Sequence, residues 1–195
     1  MRIGISFNKK DVNDMIRKLA KAGFIIIAFL FSAFTAGPPQ KRAASDETEV
    51  KAVFLFNFAQ FVEWPQSKLP PDSAIVIGVL GKDPFGRYLD ETVHNEVING
   101  HPIKVERYTN EQRIGNCHIL FINPGRSIKI QNVLKTLEGK NILTVSDATS
   151  FAKQGGMIHF INERNKIKLS VNLRSVRESE ISISSKLLNL AEIVD

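Results

Sequence analysis

Two hydrophobic rhythms alternate along the chain from residue 48 onward. The segment FLFNFAQFVEWP (54–65) holds four of the thirteen phenylalanines and the only tryptophan. At 100° per residue, Val50, Phe54, Phe58 and Phe61 fall on one stripe with Val62 beside it, and Gln60 and Glu63 fall opposite, which predicts an amphipathic helix over 48–63. Trp64-Pro65 ends it, because a residue preceding proline disfavours the α region. Phe56 falls on the polar side. Either a second layer of core covers it, or it is an exposed aromatic suited to a partner protein.

The rhythm then changes. AIVIGVLG (74–81) and CHILFI (117–122) are continuous apolar runs of strand length, the pattern of strands buried on both faces. After the first, Asp83 is a good N-cap and Pro84 fits the first helical position, so 74–94 reads as strand, tight turn and helix. NGHPIKVERY (99–108) reads as a turn and an alternating strand. SIKIQNVLKTLEGK (127–140) is an amphipathic helix that Gly139 is placed to end. NILTVSD (141–147) is a strand running into a short helix through Phe151, capped by Asp147. GGMIHFINE and NKIKLSVN read as two strands joined by a turn around Asn165, and ISSKLLNLAEIV (183–194) as a helix with Leu187, Leu190, Ala191 and Val194 on one side. Strands alternating with helices place the fold in the α/β class, Rossmann-like, with a mostly parallel central sheet, flanking helices and a C-terminal antiparallel hairpin at one side.

Residues 1–37 lie outside this pattern. A positive stretch precedes sixteen uncharged residues, 22–37, that end in small side chains, and this order is that of a secretory signal peptide. The apolar run is short of the ~20 residues a membrane span needs, although an uncleaved anchor stays the alternative. Residues 38–47 read as a polar linker and 48–195 as one α/β domain. The leader takes six of the 26 basic and two of the 20 acidic residues, leaving 20 against 18 and a net of +2. So small a charge gives no electrostatic case for nucleic acid. Cys117 is the only cysteine, so no internal disulfide forms, and its apolar run predicts a buried thiol rather than an intermolecular disulfide or redox sensor.

Candidate chemistry is sparse. GVLGKDPFG places glycines in a turn between strand and helix, but its spacing is neither a dinucleotide fingerprint nor a Walker loop, and Asp83 would repel an anion. His94, His101, His118 and His159 have no metal-ligand spacing. Ser146 and Asp147 are adjacent on a strand and point to opposite faces. No cofactor, metal site or catalytic set is nominated. Gly155-Gly156 before Met157 serves either a hairpin turn or a loop kept open for a ligand or partner.

VKAVFLFNFAQFVEWP, GVLGKDPFG, CHILFI, ILTVSD, GGMIHF and NKIKLSVNLRSV followed by ISSKLLNLA, in this order and spacing across 48–194, resemble the YfiR-like family of exported bacterial regulators. The resemblance implies a non-catalytic periplasmic α/β domain that binds the periplasmic sensor portion of an inner-membrane diguanylate cyclase and represses cyclic di-GMP synthesis and biofilm formation. Other members imply histidine kinases as partners, and the family tends to dimerise. The cysteine pair that some members carry near the GGM segment is missing here, so redox control by an internal disulfide does not carry over.

The leading expectation is therefore a periplasmic regulatory binding protein, a homodimer with an inner-membrane signalling partner, using Phe56, Trp64, Gly155, Gly156 and Met157 as contact candidates. The alternative is a periplasmic small-molecule module. Ligands of open α/β sheets sit at the carboxyl ends of strands, which nominates Gly81, Lys82 and Asp83 in one turn and Ser146 and Asp147 in another. An enzyme would need a polar pocket assembled from distant residues, and nothing in the linear pattern marks one.

Overall fold

The computed structural model describes residues 39–164 and 166–194, with side chains from residue 47 onward; the leader reading lies outside them. The first described element is the long helix α1 (Pro39–Phe61), so most of the stretch read as a linker has helical backbone.

The central sheet has eight strands in the order β10-β8-β7-β6-β5-β2-β4-β3. They are β2 (Ile75–Gly81), β3 (Val97–Ile98), β4 (His101–Tyr108), β5 (Ile119–Asn123), β6 (Leu143–Ser146), β7 (Ile158–Glu163), β8 (Lys166–Asn172) and β10 (Ala191–Val194). Strands β4, β2, β5, β6 and β7 are mutually parallel, in one of the two common doubly wound orders, with the strand order reversing between β2 and β5. The antiparallel β7–β8 hairpin forms as expected, with Phe160 opposite Leu169. It does not lie at the sheet edge, because β10 adds in parallel to β8.

Alternation along each strand splits the core in two. Ile77, Val79, Phe121, Val145, Phe160 and Val171 face one side, under α1 and the helix α2 (Arg87–Val93). Leu80, Leu120 and Ile122 face the other, under Val133 and Leu137 of α3 (Ile130–Leu137) and the ring of Phe151. The aromatic segment mainly serves the first side. Phe58 stacks on Phe160 with ring centroids 5.9 Å apart, Phe54 lies 5.9 Å from Phe160, and Phe85 meets Phe121 edge-on at 4.9 Å. Such pairs add about 0.5–1.5 kcal/mol each beyond the area they bury.

Four local expectations change. First, α2 begins at Arg87 rather than at Pro84. Asp83 Oδ1 instead accepts from the Phe85 N–H at 2.7 Å, a turn that sends Phe85 into the core before the helix starts. Second, the short helix expected through Phe151 is a 3-10 turn at Ala152–Gln154. Third, the C-terminal segment is not one helix. Ile183 in β9 (Ser182–Ile183) pairs with Val62 in β1 (Val62–Glu63), then α5 (Ser185–Leu188) makes one turn, and β10 follows. Leu187 is buried but Leu190 is exposed. The free edge of β8 offers a ladder of backbone donors and acceptors, and satisfying it outweighs a weak helical pattern. Fourth, α4 (Leu173–Glu178) was not expected, although Asn172 caps it through its side-chain oxygen and the Ser175 N–H at 3.0 Å.

Candidate functional site

The switch point between β2 and β5 is where an open parallel sheet offers a ligand crevice. Here the protein's own groups occupy it. Gly81 has φ +91°, and a Cβ there would stand 2.1 Å from the Asn123 carbonyl oxygen, so the two strand ends are in contact. Asn123 Nδ2 donates to the Lys82 carbonyl at 2.7 Å. Arg107 then pins the turn from β4. Its Nε donates to Asp83 Oδ2 at 2.7 Å, its two terminal nitrogens grip Asp90 at 2.6 and 3.0 Å, and one of them also reaches the Gly86 carbonyl. Hydrogen bonding to Arg107 holds the Asp90 carboxyl below its ordinary value. Of the three residues nominated in this turn, Gly81 and Asp83 are structural and Lys82 contributes its carbonyl.

The second nominated turn is engaged as well. Ser146 Oγ is buried, donates to the Ile122 carbonyl at 2.6 Å and accepts from the Ala148 N–H at 3.1 Å. Asp147 takes the Lys51 ammonium at 2.6 Å, and Glu47 takes it at 2.5 Å. Asn162 Nδ2 donates to the other Glu47 oxygen. Burial pulls the Lys51 pKa down, but its hydrogen bonds to Asp147 and Glu47 outweigh that and leave it raised. The cluster ties α1 to the ends of β6 and β7, and Lys51 was not foreseen as a buried cation.

Among the described residues no group of three or more His, Cys, Asp or Glu is placed to hold a metal ion. His118 is buried. Its Nδ1 accepts from the Val76 N–H at 3.0 Å, so its proton sits on Nε2, 3.2 Å from the Lys68 carbonyl oxygen. Cys117 is fully buried, as expected, and burial pushes its thiol up to about 12, which removes it as a reactive thiolate.

The contact candidates divide. Phe56 is half-buried against the core and is not a free aromatic. Trp64 is half-buried, its ring edge-on to His118 at 5.6 Å, and its Nε1 has no hydrogen-bond partner among the described residues. Gly156 is buried against Phe151, whereas Gly155 is exposed and, with Met157, lines a cavity of about 330 Å³ between α3 and α4.

Of the stripe expected inside, Phe58 is buried and Phe54 and Phe61 pack against the core, whereas Val50 turns outward. The buried line runs through Ala52, Leu55, Phe58, Ala59 and Val62, while Val50 is 43% and Val53 41% exposed. Val50, Val53, Phe54 and Asn57 recur at i, i+3, i+4 and i+7, and with Glu49 and with Tyr88 from α2 they line a shallow, mainly apolar hollow of about 410 Å³. Among the described residues no helix is long and apolar enough to cross a membrane.

Comparison with curated proteins finds no match. The YfiR/HmsC-like family matches residues 48–192, which takes in α1 from Thr48, the whole switch-point region and both faces of the sheet up to β10. A match over nearly three quarters of the chain, on the same segments that build the core, establishes that the chain belongs to the YfiR/HmsC-like family.

Proposed function

We propose that the protein is a periplasmic repressor that binds the periplasmic sensor domain of an inner-membrane diguanylate cyclase and holds down cyclic di-GMP synthesis, and with it biofilm formation. Family membership supports a regulatory rather than a catalytic role. The observation that carries the reading is the apolar stripe of α1. Val50 and Val53 are each about two-fifths exposed beside Phe54 and Tyr88, where a monomer gains nothing by exposing them. Aromatic and aliphatic anchors of this kind form the desolvated centre of a protein interface. A second copy of the chain on the same stripe would give a homodimer, in competition with the partner.

The test is removal of the gene followed by measurement of cellular cyclic di-GMP and biofilm mass, with crosslinking and mass spectrometry of the tagged protein from intact cells. A rise in cyclic di-GMP that the wild-type chain reverses, with recovery of a diguanylate cyclase, is the expected result. Unchanged cyclic di-GMP with recovery of a histidine kinase would place the protein in another membrane pathway. The second reading, a small-molecule module that feeds such a sensor, is favoured by the cavity between α3 and α4 rather than by the closed turns at 81–86 and 146–151.

A further inference from the structure

We infer that the cavity between α3 and α4 is a binding site for a small amphipathic amine, one with an apolar body, a hydrogen-bond acceptor at its inner end and a cationic head at the mouth. Three separate features of the wall lead there. Its volume of about 330 Å³ suits a ring with a short side chain. Its apolar surface comes from Leu134 and Leu137 of α3, Ile142 before β6 and Met157 before β7, of which the last three are buried. Such a lining favours an uncharged body.

The second feature is Thr144. Its side chain lines the cavity and the residue is only 2% exposed. Its Oγ accepts from the Met157 N–H at 3.1 Å, and among the described residues no hydrogen bond is donated by its hydroxyl proton, which is free to turn toward a ligand. A buried donor is better off with a partner, and a ligand oxygen would supply one. The ligand therefore carries an acceptor on the end that enters first.

The third feature is the charge of the wall. Glu138 and Glu178 line it from the ends of α3 and α4, against one cation among the described residues, Lys135. All three are exposed, so they can meet a charged group that stays partly in water. Two carboxylates against one ammonium favour a cationic head. Gly155 completes the wall in a left-handed turn at φ +96°, with Leu134 Cδ1 the nearest group to where a Cβ would stand, at 3.8 Å.

Tyramine has each part: a phenol oxygen, a ring and an ammonium. A titration of the purified protein, followed by thermal unfolding and by chemical-shift changes, tests the site. Tyramine should raise the midpoint by about 3–6 °C at ten times its Kd. Phenethylamine, which lacks the phenol oxygen, should bind at least about threefold more weakly, because one hydrogen bond is lost. 3-(4-Hydroxyphenyl)propionate, with the head charge reversed, should not bind. Gln131→Trp should abolish tyramine binding by filling the mouth from an exposed helical position, and Glu178→Gln should weaken it about three- to tenfold. The inference is overturned if tyramine gives no shift, if the propionate binds as well as the amine, or if binding is unchanged in both Gln131→Trp and Glu178→Gln. None of these outcomes depends on the cyclase reading, which is tested in cells without the amine.

Discussion

A methyl group on Gly156 would stand 2.1 Å from Cε1 of Phe151, so the glycine lies flat against a fully buried ring, and its N–H donates to the Phe151 carbonyl at 3.0 Å. This contact holds the 3-10 turn down on the sheet and delivers Met157 to the start of β7. The two adjacent glycines are therefore needed for different reasons. Gly156 is required for space, and Gly155 for its positive φ. Gly156→Ala should lower stability by about 1–3 kcal/mol through overpacking. Gly155→Ala, with nothing closer than 3.8 Å, should cost about 1–2 kcal/mol through left-handed backbone strain alone. Urea unfolding of both variants checks this. The order reverses if the ring of Phe151 can move aside.

Lys51 is a second point of attachment. It is 7% exposed and bonded to two carboxylates, one of them 96 residues away. Lys51→Met keeps the stem but leaves Asp147 and Glu47 without their cation. Because both carboxylates are partly exposed, the loss should be about 1–3 kcal/mol, below the 3–5 kcal/mol of a fully buried pair. A double-mutant cycle with Asp147→Asn should return a coupling of at least about 0.5 kcal/mol. A coupling of zero would mean that Lys51 acts through packing of its stem.

How far the sequence carried the fold differs from element to element. The runs at 74–81 and 117–122 were legible because strands covered on both faces admit mainly apolar side chains, with His118 accommodated by its bonds to the Val76 N–H and the Lys68 carbonyl. The orientation of α1 was legible in part, since Phe58 is buried and Phe54 and Phe61 pack against the core. Phenylalanines mark its stripe, yet the helix approaches the sheet along Ala52 and Ala59, where small side chains allow close packing, and this turns Val50 and Val53 outward. The buried state of Lys51 was hidden because its partner comes from the end of β6. Strand β10 was hidden because its pairing is set by the free edge of β8, with little alternation of its own. The cavity is assembled from α3, the 139–144 segment, the Gly155 turn and α4, and only Gly155 and Met157 carried a local signal.

The buried His118 makes stability depend on pH. Burial, with smaller contributions from Lys68 and His101, holds its pKa below the ordinary 6.5. Its Nδ1 accepts a backbone N–H, so the folded state needs the neutral ring. The unfolded chain therefore takes up its proton at higher pH than the native protein does. Stability from this group is complete above about 6.5 and is lost as pH falls from there through the lower folded value. His159, also lowered by burial, adds with the same sign. The urea midpoint should fall between pH 7.5 and 5.5, and His118→Gln should flatten that fall. An equal slope in the variant would assign the effect to His159 or to the carboxylates.

Phe56 and Val53 separate fold from interface on one helix. Phe56 packs against the core, so Phe56→Glu would press a carboxylate into an apolar site and should destabilise the domain by at least about 2 kcal/mol. It is thus a poor probe of binding, although its place opposite the aromatic stripe suggested otherwise. Val53→Lys changes a side chain that already stands in solvent and should leave stability within about 0.5 kcal/mol. If the hollow beside Tyr88 is the centre of the partner interface, the same substitution fills it with a long charged side chain that must be desolvated even when it pairs with Glu49 one turn away, and should weaken binding to the cyclase sensor domain at least about tenfold, or 1.4 kcal/mol. Circular-dichroism melting and calorimetric titration against the isolated sensor domain measure the two effects separately. Loss of binding with an unchanged melt assigns the interface to α1, and unchanged binding moves it to another face.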